Sequence, residues 1–478
     1  MNELPRTIAE AASLLRSNEL SAVELTEACL KRAHAAQESL EAFLHIADET
    51  ALVSARQADA DFAAGIDRGP LQGIPLAIKD IIATEDAPTT ANSHVLDPAW
   101  GQRKDATVMK KLRAAGVIML GKTGLWEFAT GWPDPETGFP IARNPWDPAR
   151  TPGGSSSGTG TAIGANLVPA GLGTDTGGSV RGPAAYCGIS GIKQTFGLVS
   201  KEGCVPLGYS LDNIGPMAHT VSDCAIMLQV MAGYDPKDPC TVNRPVADMV
   251  SGMDGSLAGV RIGVPYDYFF TVPELDAELK SAVLGAVKAM EAAGATVVDV
   301  SIPHAAEASL AQRPISASEA FAYHELDMRT KAHLYGKYTR QTLQANALYT
   351  GADYVQANRV RSVIKAECAA LFRSALGAAG EGVDVLIAPT QLGPAPKFDG
   401  YDPDATRFGP SFMAIWNLVG LPALSIPCGF TASMLPLGMQ VVGRAFDEAT
   451  VFKVGDAYQR ITDWHLKSPT MAWEMQPA

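Results

Sequence analysis

This sequence of 478 residues lacks the spacings that indicate a metal site or a disulfide framework. Its seven cysteines are scattered, odd in number and never spaced CxxC, and its eight histidines form no HxxxH or HExxH pair. The cysteine pattern favours reduced thiols in a cytoplasm over a disulfide-bonded secreted protein. We therefore expect a cytoplasmic protein with no metal and no cofactor.

Long apolar runs and runs of basic residues are also missing. No stretch of about 18 apolar residues occurs, so we expect no membrane-spanning helix. The N-terminus lacks the basic start and continuous apolar run of a signal peptide. A net charge of -13 without a Lys/Arg run gives no support to a nucleic-acid surface. These absences predict neither a membrane nor a nucleic-acid partner, and they leave a homodimer as an open alternative.

Hydrophobic residues make up 47% of the chain, which is enough for a sizeable core. Strand-like and helical patterns alternate along it, with no repeat and no linker between separate cores. We predict a single α/β/α domain with a large mixed, mostly parallel central sheet. Residues 1–65 are expected to form an N-terminal helical arm on the core. Residues 66–478 are expected to form the main domain, with a helical insertion near 305–375.

A Gly/Ser-rich stretch at 151–188 holds two glycine-flanked serine sites. Ser155–Ser157 follow two glycines, and Ser179 follows two more. Glycine allows tight turns and close approach, so such serines can present a hydroxyl beside free N–H groups, as acyl transfer needs. A flexible linker is disfavoured because apolar residues interrupt the stretch. A phosphate-binding loop is disfavoured because no Lys-Ser/Thr pair follows the glycines.

A lysine, Lys79, interrupts the apolar, strand-like run at 76–82. A buried lysine is costly unless it is paired or neutral. One interpretation is an edge-strand lysine that reaches to water. The other is a buried lysine with a lowered pKa, able to act as a base.

Three segments together resemble the amidase signature family: GIPLAIKD, GGSSSG and TDTGGSVR, in that order. The resemblance covers nearly the whole chain and includes GLPALSIPCGF at 420–430. It implies the family's α/β/α fold and its Ser–cis-Ser–Lys triad. By this resemblance Ser179 is the nucleophile, Ser155 the bridging serine that follows a cis peptide bond, and Lys79 the base.

The resemblance implies further roles around the triad. Backbone N–H groups for the oxyanion hole are expected from Thr176, Gly177, Gly178 and Ser179. Asp175 and Arg181 are expected to hold the nucleophile loop by ionic hydrogen bonds, although an ordinary surface pair is the alternative. Two other roles are expected: loop support from Ser156, and substrate contact from Ala129 and Thr130.

Two functions fit these features. We predict a stand-alone bacterial-type amidase, a hydrolase that cleaves the carbon–nitrogen bond of a small amide, aryl amide, hydrazide or carbamate through an acyl-enzyme on Ser179. Its partner would be that small molecule alone. The alternative is the catalytic A subunit of a glutamine-dependent aminoacyl-tRNA amidotransferase, which the segment at 210–239 resembles closely. The segment at 330–365 looks more like stand-alone amidases, since it lacks that subgroup's RRIMLG-type sequence.

Overall fold

Eleven strands form one sheet in the part of the chain that this computed structural model describes, which is residues 4–102, 104–372, 382–400 and 409–471. The strands are β1 (Phe43–Ile46), β2 (Pro75–Lys79), β3 (Ile118–Thr123), β4 (Ala170–Asp175), β5 (Ser190–Lys193), β6 (Asn213–Ala218), β7 (Arg261–Pro265), β8 (Thr296–Val300), β9 (Val385–Pro389), β10 (Ala423–Phe430) and β11 (Pro436–Gly443). Their order across the sheet is β1-β3-β2-β4-β6-β5-β10-β11-β9-β7-β8.

The sheet is mixed, as predicted, but its parallel pairs are a minority. Strands β3, β2 and β4 run parallel to one another, and so do β9, β7 and β8. The remaining neighbours are antiparallel. The expectation of a mostly parallel sheet is therefore corrected. One reason is that β10 and β11 are joined by the short turn at 431–435, and a tight hairpin can only be antiparallel.

Fourteen α-helices lie in the described part of the chain. They are α1 (Ile8–Arg16), α2 (Ala22–Leu40), α3 (Asp48–Ala63), α4 (Thr107–Ala114), α5 (Ser157–Gly164), α6 (Arg181–Cys187), α7 (Val221–Met231), α8 (Tyr266–Phe269), α9 (Ala277–Ala292), α10 (Ala308–Thr330), α11 (Lys337–Asn346), α12 (Gly351–Leu371), α13 (Ala414–Val419) and α14 (Glu448–Arg460). Single 3-10 turns occur at Glu127–Ala129, Pro135–Thr137, Ala332–Leu334 and Trp464–Leu466. None of these helices is long and apolar enough to cross a membrane.

Helices cover both faces of the sheet, which confirms the predicted α/β/α layering. Successive residues of a strand point to opposite faces. Gly438 and Gly443 of β11 are five residues apart and so lie on opposite faces of the sheet. Gly438 lies against Ala185 of α6, and Gly443 lies against Val451 of α14. Both approaches are so close that a side chain larger than that of glycine would overlap the helix.

The predicted arm of residues 1–65 contains α1, α2, β1 and α3 in its described portion. Strand β1 pairs with β3 and so adds an edge strand to the main sheet. The predicted insertion near 305–375 contains α10, α11 and α12, and residues 373–375 lie outside the described residues. The division into an arm, a main domain and an insertion stays a prediction.

Candidate active site

The three predicted triad residues come from three separate chain segments. Lys79 is the last residue of β2, Ser155 lies in the loop that enters α5, and Ser179 lies between β4 and α6. Strands β2 and β4 are parallel neighbours, with Ile78 opposite Leu172. Their carboxyl ends therefore meet at one edge of the sheet, which is where α/β proteins commonly bind ligands.

Lys79 is fully buried and surrounded by hydroxyl groups. Its Nζ atom donates to Ser155 Oγ at 2.8 Å, Ser156 Oγ at 3.0 Å and Thr174 Oγ1 at 2.7 Å. Burial lowers the pKa of Lys79 to about 7. Of the two interpretations of this lysine, the structure favours the buried residue over the edge-strand residue. Such a lysine is available as a proton acceptor near neutral pH.

The serine loop connects Lys79 to the nucleophile loop. The Gly154–Ser155 peptide bond is cis. Ser156 is buried, and its Oγ atom lies 3.2 Å from both the N–H and the carbonyl oxygen of Thr174. The Ser156 N–H donates to the carbonyl oxygen of Ser179 at 3.3 Å. Ser156 therefore joins the serine loop, the end of β4 and the nucleophile loop, which is the supporting position predicted for it.

Asp175 and Arg181 form a buried ion pair under the nucleophile loop. Arg181 Nη2 lies 3.0 Å from Asp175 Oδ1, and neither side chain is exposed. Asp175 also accepts the N–H groups of Gly178 at 2.8 Å and Val180 at 3.1 Å. Burial alone would raise the pKa of Asp175, but the Arg181 guanidinium outweighs burial and holds that pKa well below its usual range. The surface-pair alternative is therefore excluded.

The remaining partners of Arg181 come from far along the chain. Its Nη1 donates to the carbonyl oxygen of Met413 and to Gln440 Oε1, both at 3.1 Å, and its Nη2 donates to Asn417 Oδ1 at 2.6 Å. Asn417 also donates to Asp175 Oδ1 at 2.9 Å. Sequence reasoning missed these three supports, because no local pattern links them to residue 181.

The four predicted oxyanion donors are not equivalent. The Gly178 N–H donates to Asp175 and therefore does not point to an oxyanion. The prediction that Gly178 is an oxyanion donor thus has no support in the structure. Gly178 has φ +128°, and a Cβ atom there would overlap Met413, so glycine is needed for the loop itself. The roles of Thr176, Gly177 and Ser179 as donors stay predictions.

A cavity of about 360 Å³ opens beside Ser179. Both residues with a predicted substrate contact, Ala129 and Thr130, lie in its wall. In the described residues its lining carries no charged side chain, and it includes Trp126, Trp132, Leu207, Gln312, Ser316, Tyr338, Gln341, Thr342 and Met413. An adjoining cavity of about 550 Å³ shares part of this wall and has Arg313 and Asp353 in its lining.

Two further site residues, Thr174 and Gln312, were not identified from the sequence. Thr174 contacts Lys79 directly, and the TDTGG motif that contains it was a signal that could have pointed to it. Gln312 of α10 donates to the carbonyl oxygen of Thr176 at 3.3 Å, so the helical insertion reaches the nucleophile loop. Only the fold brings that helix to the site, and no sequence motif marks it.

Comparison with known proteins extends over almost the full length. The family model for amidases matches residues 24–452. The A subunit of glutamyl-tRNA(Gln) amidotransferase of Chloroflexus aurantiacus is 41% identical over 493 aligned residues, which cover 97% of this chain and 98% of the relative. The structure of the A subunit of glutamyl-tRNA(Gln) amidotransferase from Thermotoga maritima has a TM-score of 0.79 at 33% identity, and the match covers 98% of this chain and 96% of that one. Native peptide amidase from Stenotrophomonas maltophilia has a TM-score of 0.80 at 29% identity, with 95% and 96% coverage.

These comparisons correct two predictions. The prediction of a stand-alone hydrolase of small amides is wrong, because the relatives at 41% identity are subunits of an amidotransferase. The prediction of a small-molecule partner without nucleic acid is contradicted by the same finding, since those relatives are named for a tRNA. Similarity spread over the whole chain outweighs the one segment, 330–365, that favoured a stand-alone amidase.

The family predicted from the three motifs is confirmed. A family model covers most of the chain, the fold matches solved members, and the motif residues lie at the same edge of the sheet. This chain belongs to the amidase signature family, whose members act on carbon–nitrogen bonds as hydrolases or amidotransferases.

Proposed function

We propose that this chain is the catalytic A subunit of a glutamine-dependent aminoacyl-tRNA amidotransferase, and that its site releases ammonia from the side-chain amide of glutamine. The observation that carries the proposal is the 41% identity to the A subunit of the Chloroflexus enzyme over 97% of this chain. A cytoplasmic location, protein partners and a tRNA acceptor belong to the same proposal.

The first step in this proposal is activation of Ser179. Neutral Lys79 takes the proton of the Ser155 hydroxyl while Ser155 takes that of Ser179. The 2.8 Å contact between Lys79 Nζ and Ser155 Oγ is short enough for proton transfer. A Lys79 pKa of about 7 supports a substantial neutral fraction near neutral pH. The Ser179 oxygen then bonds to the amide carbon of glutamine.

The second step breaks the carbon–nitrogen bond. Backbone N–H groups of Thr176, Gly177 and Ser179 stabilise the oxyanion as the tetrahedral intermediate forms. The proton held by Lys79 returns through Ser155 to the amide nitrogen, and ammonia leaves. Water then attacks the acyl group on Ser179 and releases glutamate.

The neighbouring cavities are compatible with an amino-acid substrate. Glutamine carries an α-carboxylate and an α-ammonium group, and both need polar or charged partners when they leave water. The lining around Ser179 is uncharged in the described residues, but the adjoining cavity includes Arg313 and Asp353. We expect the zwitterionic end of glutamine to lie toward that second cavity.

The proposal is tested by reconstitution. The purified chain is combined with the other subunits of the amidotransferase from its source organism, and ammonia release from glutamine is measured with and without glutamyl-tRNA(Gln). We expect glutamine hydrolysis that increases with the partners and disappears in Ser179→Ala. An enzyme that hydrolyses no glutamine in any of these combinations would refute the proposal, and p-nitroacetanilide and benzamide serve as comparison amides.

A further inference from the structure

The segment at 126–131 forms one wall of the cavity beside Ser179, and its backbone has an unusual shape. Phe128 and Ala129 both adopt left-handed conformations, with φ +48° and +60°. Consecutive non-glycine residues in this region are uncommon and need support from their surroundings. Trp126, Ala129 and Thr130 from this segment line the cavity, so whatever fixes the segment also fixes the wall.

Glu127 is buried within this segment and accepts hydrogen bonds from two other parts of the chain. Ser93 Oγ donates to its Oε1 at 2.5 Å, and the Gly336 N–H donates to its Oε2 at 2.9 Å. Each carboxyl oxygen therefore has its own donor. Ser93 lies in the loop at 84–106, whereas Gly336 immediately precedes α11.

Another wall of the cavity is built from α10 and α11, and α11 begins directly after Gly336. Tyr338, Gln341 and Thr342 of α11 line the cavity, together with Gln312 of α10. The Glu127 carboxyl group therefore accepts a hydrogen bond at the start of a helix that lines another part of the same cavity.

One further contact joins the 126–131 wall to α10, and a second contact joins α10 to the residue that precedes Gly336. The Phe128 ring packs edge-on against His324 of α10 with 4.4 Å between centroids. His324 Nδ1 in turn lies 2.8 Å from the Tyr335 hydroxyl, next to Gly336. The gap between the walls is also tight at Gly131, where a Cβ atom would overlap Thr339 of α11.

We infer that Glu127 is a positioning residue, which sets the distance between the 126–131 wall and α11 and thereby determines how well the amide substrate is bound beside Ser179. Glu127 does not line the cavity itself. The inference rests on the proposed function only for the identity of the substrate, glutamine.

The test compares Glu127→Ala with Glu127→Gln in the reconstituted complex. The Glu127→Ala variant has neither acceptor oxygen. In the Glu127→Gln variant, the side-chain oxygen can still accept from the Gly336 N–H, and the side-chain NH₂ group can donate to Ser93 Oγ. We expect Glu127→Ala to raise KM for glutamine about tenfold, the equivalent of one or two net hydrogen bonds, with kcat within about threefold. Glu127→Gln should restore most of the loss.

Asp223→Ala is the matched control. Asp223 is another buried carboxylate, and it accepts the N–H of Ala9 at 3.2 Å, at a junction of α1 and α7 outside the cavity. This variant should lower the Tm and leave KM unchanged. If Glu127→Ala behaves in the same way, with a lower Tm and a wild-type KM, Glu127 is only structural and the inference is wrong.

Hydrogen exchange separates this inference from the proposed function, because it needs no substrate. Backbone amides at 126–131 and 335–342 should exchange faster in Glu127→Ala than in wild type, and neither segment should change in Asp223→Ala. A wild-type complex that hydrolyses no glutamine would overturn the proposed function, and the exchange comparison would still decide the role of Glu127. Unchanged exchange in both segments would overturn the inference.

Discussion

The Nζ atom of Lys79 lies 2.8 Å from the Oγ atom of Ser155, and neither residue is exposed to solvent. An ammonium group has three donors, and here three hydroxyl oxygens accept them. A neutral amine has a lone pair, and any of the same hydroxyls can rotate to donate to it. The site can therefore hold either protonation state, which a proton relay requires.

Replacing the nucleophile should abolish turnover without affecting the fold. Ser179 lies at the cavity wall, so Ser179→Ala removes one hydroxyl and no core packing. We expect glutamine hydrolysis to fall on the order of 10⁴-fold or more, with an unchanged circular dichroism spectrum and Tm. Residual activity within about tenfold of wild type would show that another residue is the nucleophile.

The pH dependence of glutamine hydrolysis should reflect the ionisation of Lys79. Burial lowers its pKa to about 7, so the base is protonated and inactive below that pH and becomes neutral as the pH rises through it. We expect kcat/KM for glutamine to increase with pH around a midpoint near 7. Lys79→Ala should lose on the order of 10³-fold in activity and should lack this acid limb.

Lys193 provides a matched control for that profile. It is equally buried, its pKa is also lowered by burial to about 7, and its Nζ donates to the carbonyl oxygen of Gln194 at 2.9 Å. Among the described residues it makes no hydrogen bond to Ser155, Ser156 or Ser179, although it lies near the Asp175–Arg181 pair. Lys193→Met should keep the acid limb. If the limb disappears in Lys193→Met and persists in Lys79→Ala, the assignment of the base to Lys79 is wrong.

The ion pair under the nucleophile loop should be important for stability. Arg181→Met leaves the buried Asp175 carboxylate without its cation, and breaking such a pair typically lowers the free energy of unfolding by about 3–5 kcal/mol. Denaturant titration measures this change. Arg329→Gln, which removes an exposed pair with Glu325, should change the same quantity by less than about 1 kcal/mol. Equal effects of the two substitutions would contradict the structural role given to Arg181.

Ammonia release from glutamine should be insensitive to metal chelators. The nucleophile, the proton relay and the oxyanion donors of the proposed mechanism are all groups of this chain. We expect the same rate of ammonia release before and after treatment with EDTA, measured without the tRNA reaction. Loss of that rate with EDTA and its return with zinc would contradict the prediction of no metal.

The sequence predicted the kind of fold better than it predicted strand direction. Alternating strand and helix patterns predicted the layered α/β fold that the structure shows. Strand direction depends on which distant strands become neighbours. That choice is made by packing of the whole sheet, for example where β5 lies between β6 and β10.

The site could be predicted only where a motif marks it. Ser155 and Ser179 follow pairs of glycines, and Lys79 interrupts an apolar run. Those patterns are uncommon in ordinary core sequence, and they mark the three residues as candidates for catalysis. Glu127 and Gln312 lie in ordinary sequence, and only the fold brings them near the cavity. The prediction of no nucleic-acid partner was wrong because net charge and the absence of a basic run describe the chain as a whole and do not report how charge is distributed over the folded surface.

The most direct test of the proposed function is transfer of labelled nitrogen. Glutamine labelled with ¹⁵N at its side-chain amide is supplied to the reconstituted complex with glutamyl-tRNA(Gln) and a nucleoside triphosphate that activates the carboxylate. We predict that wild type places ¹⁵N in the amide of the aminoacyl-tRNA, and that a complex with Ser179→Ala does not. Equal labelling with the variant, or free [¹⁵N]ammonia without any labelled tRNA from the wild-type complex, would contradict the proposal.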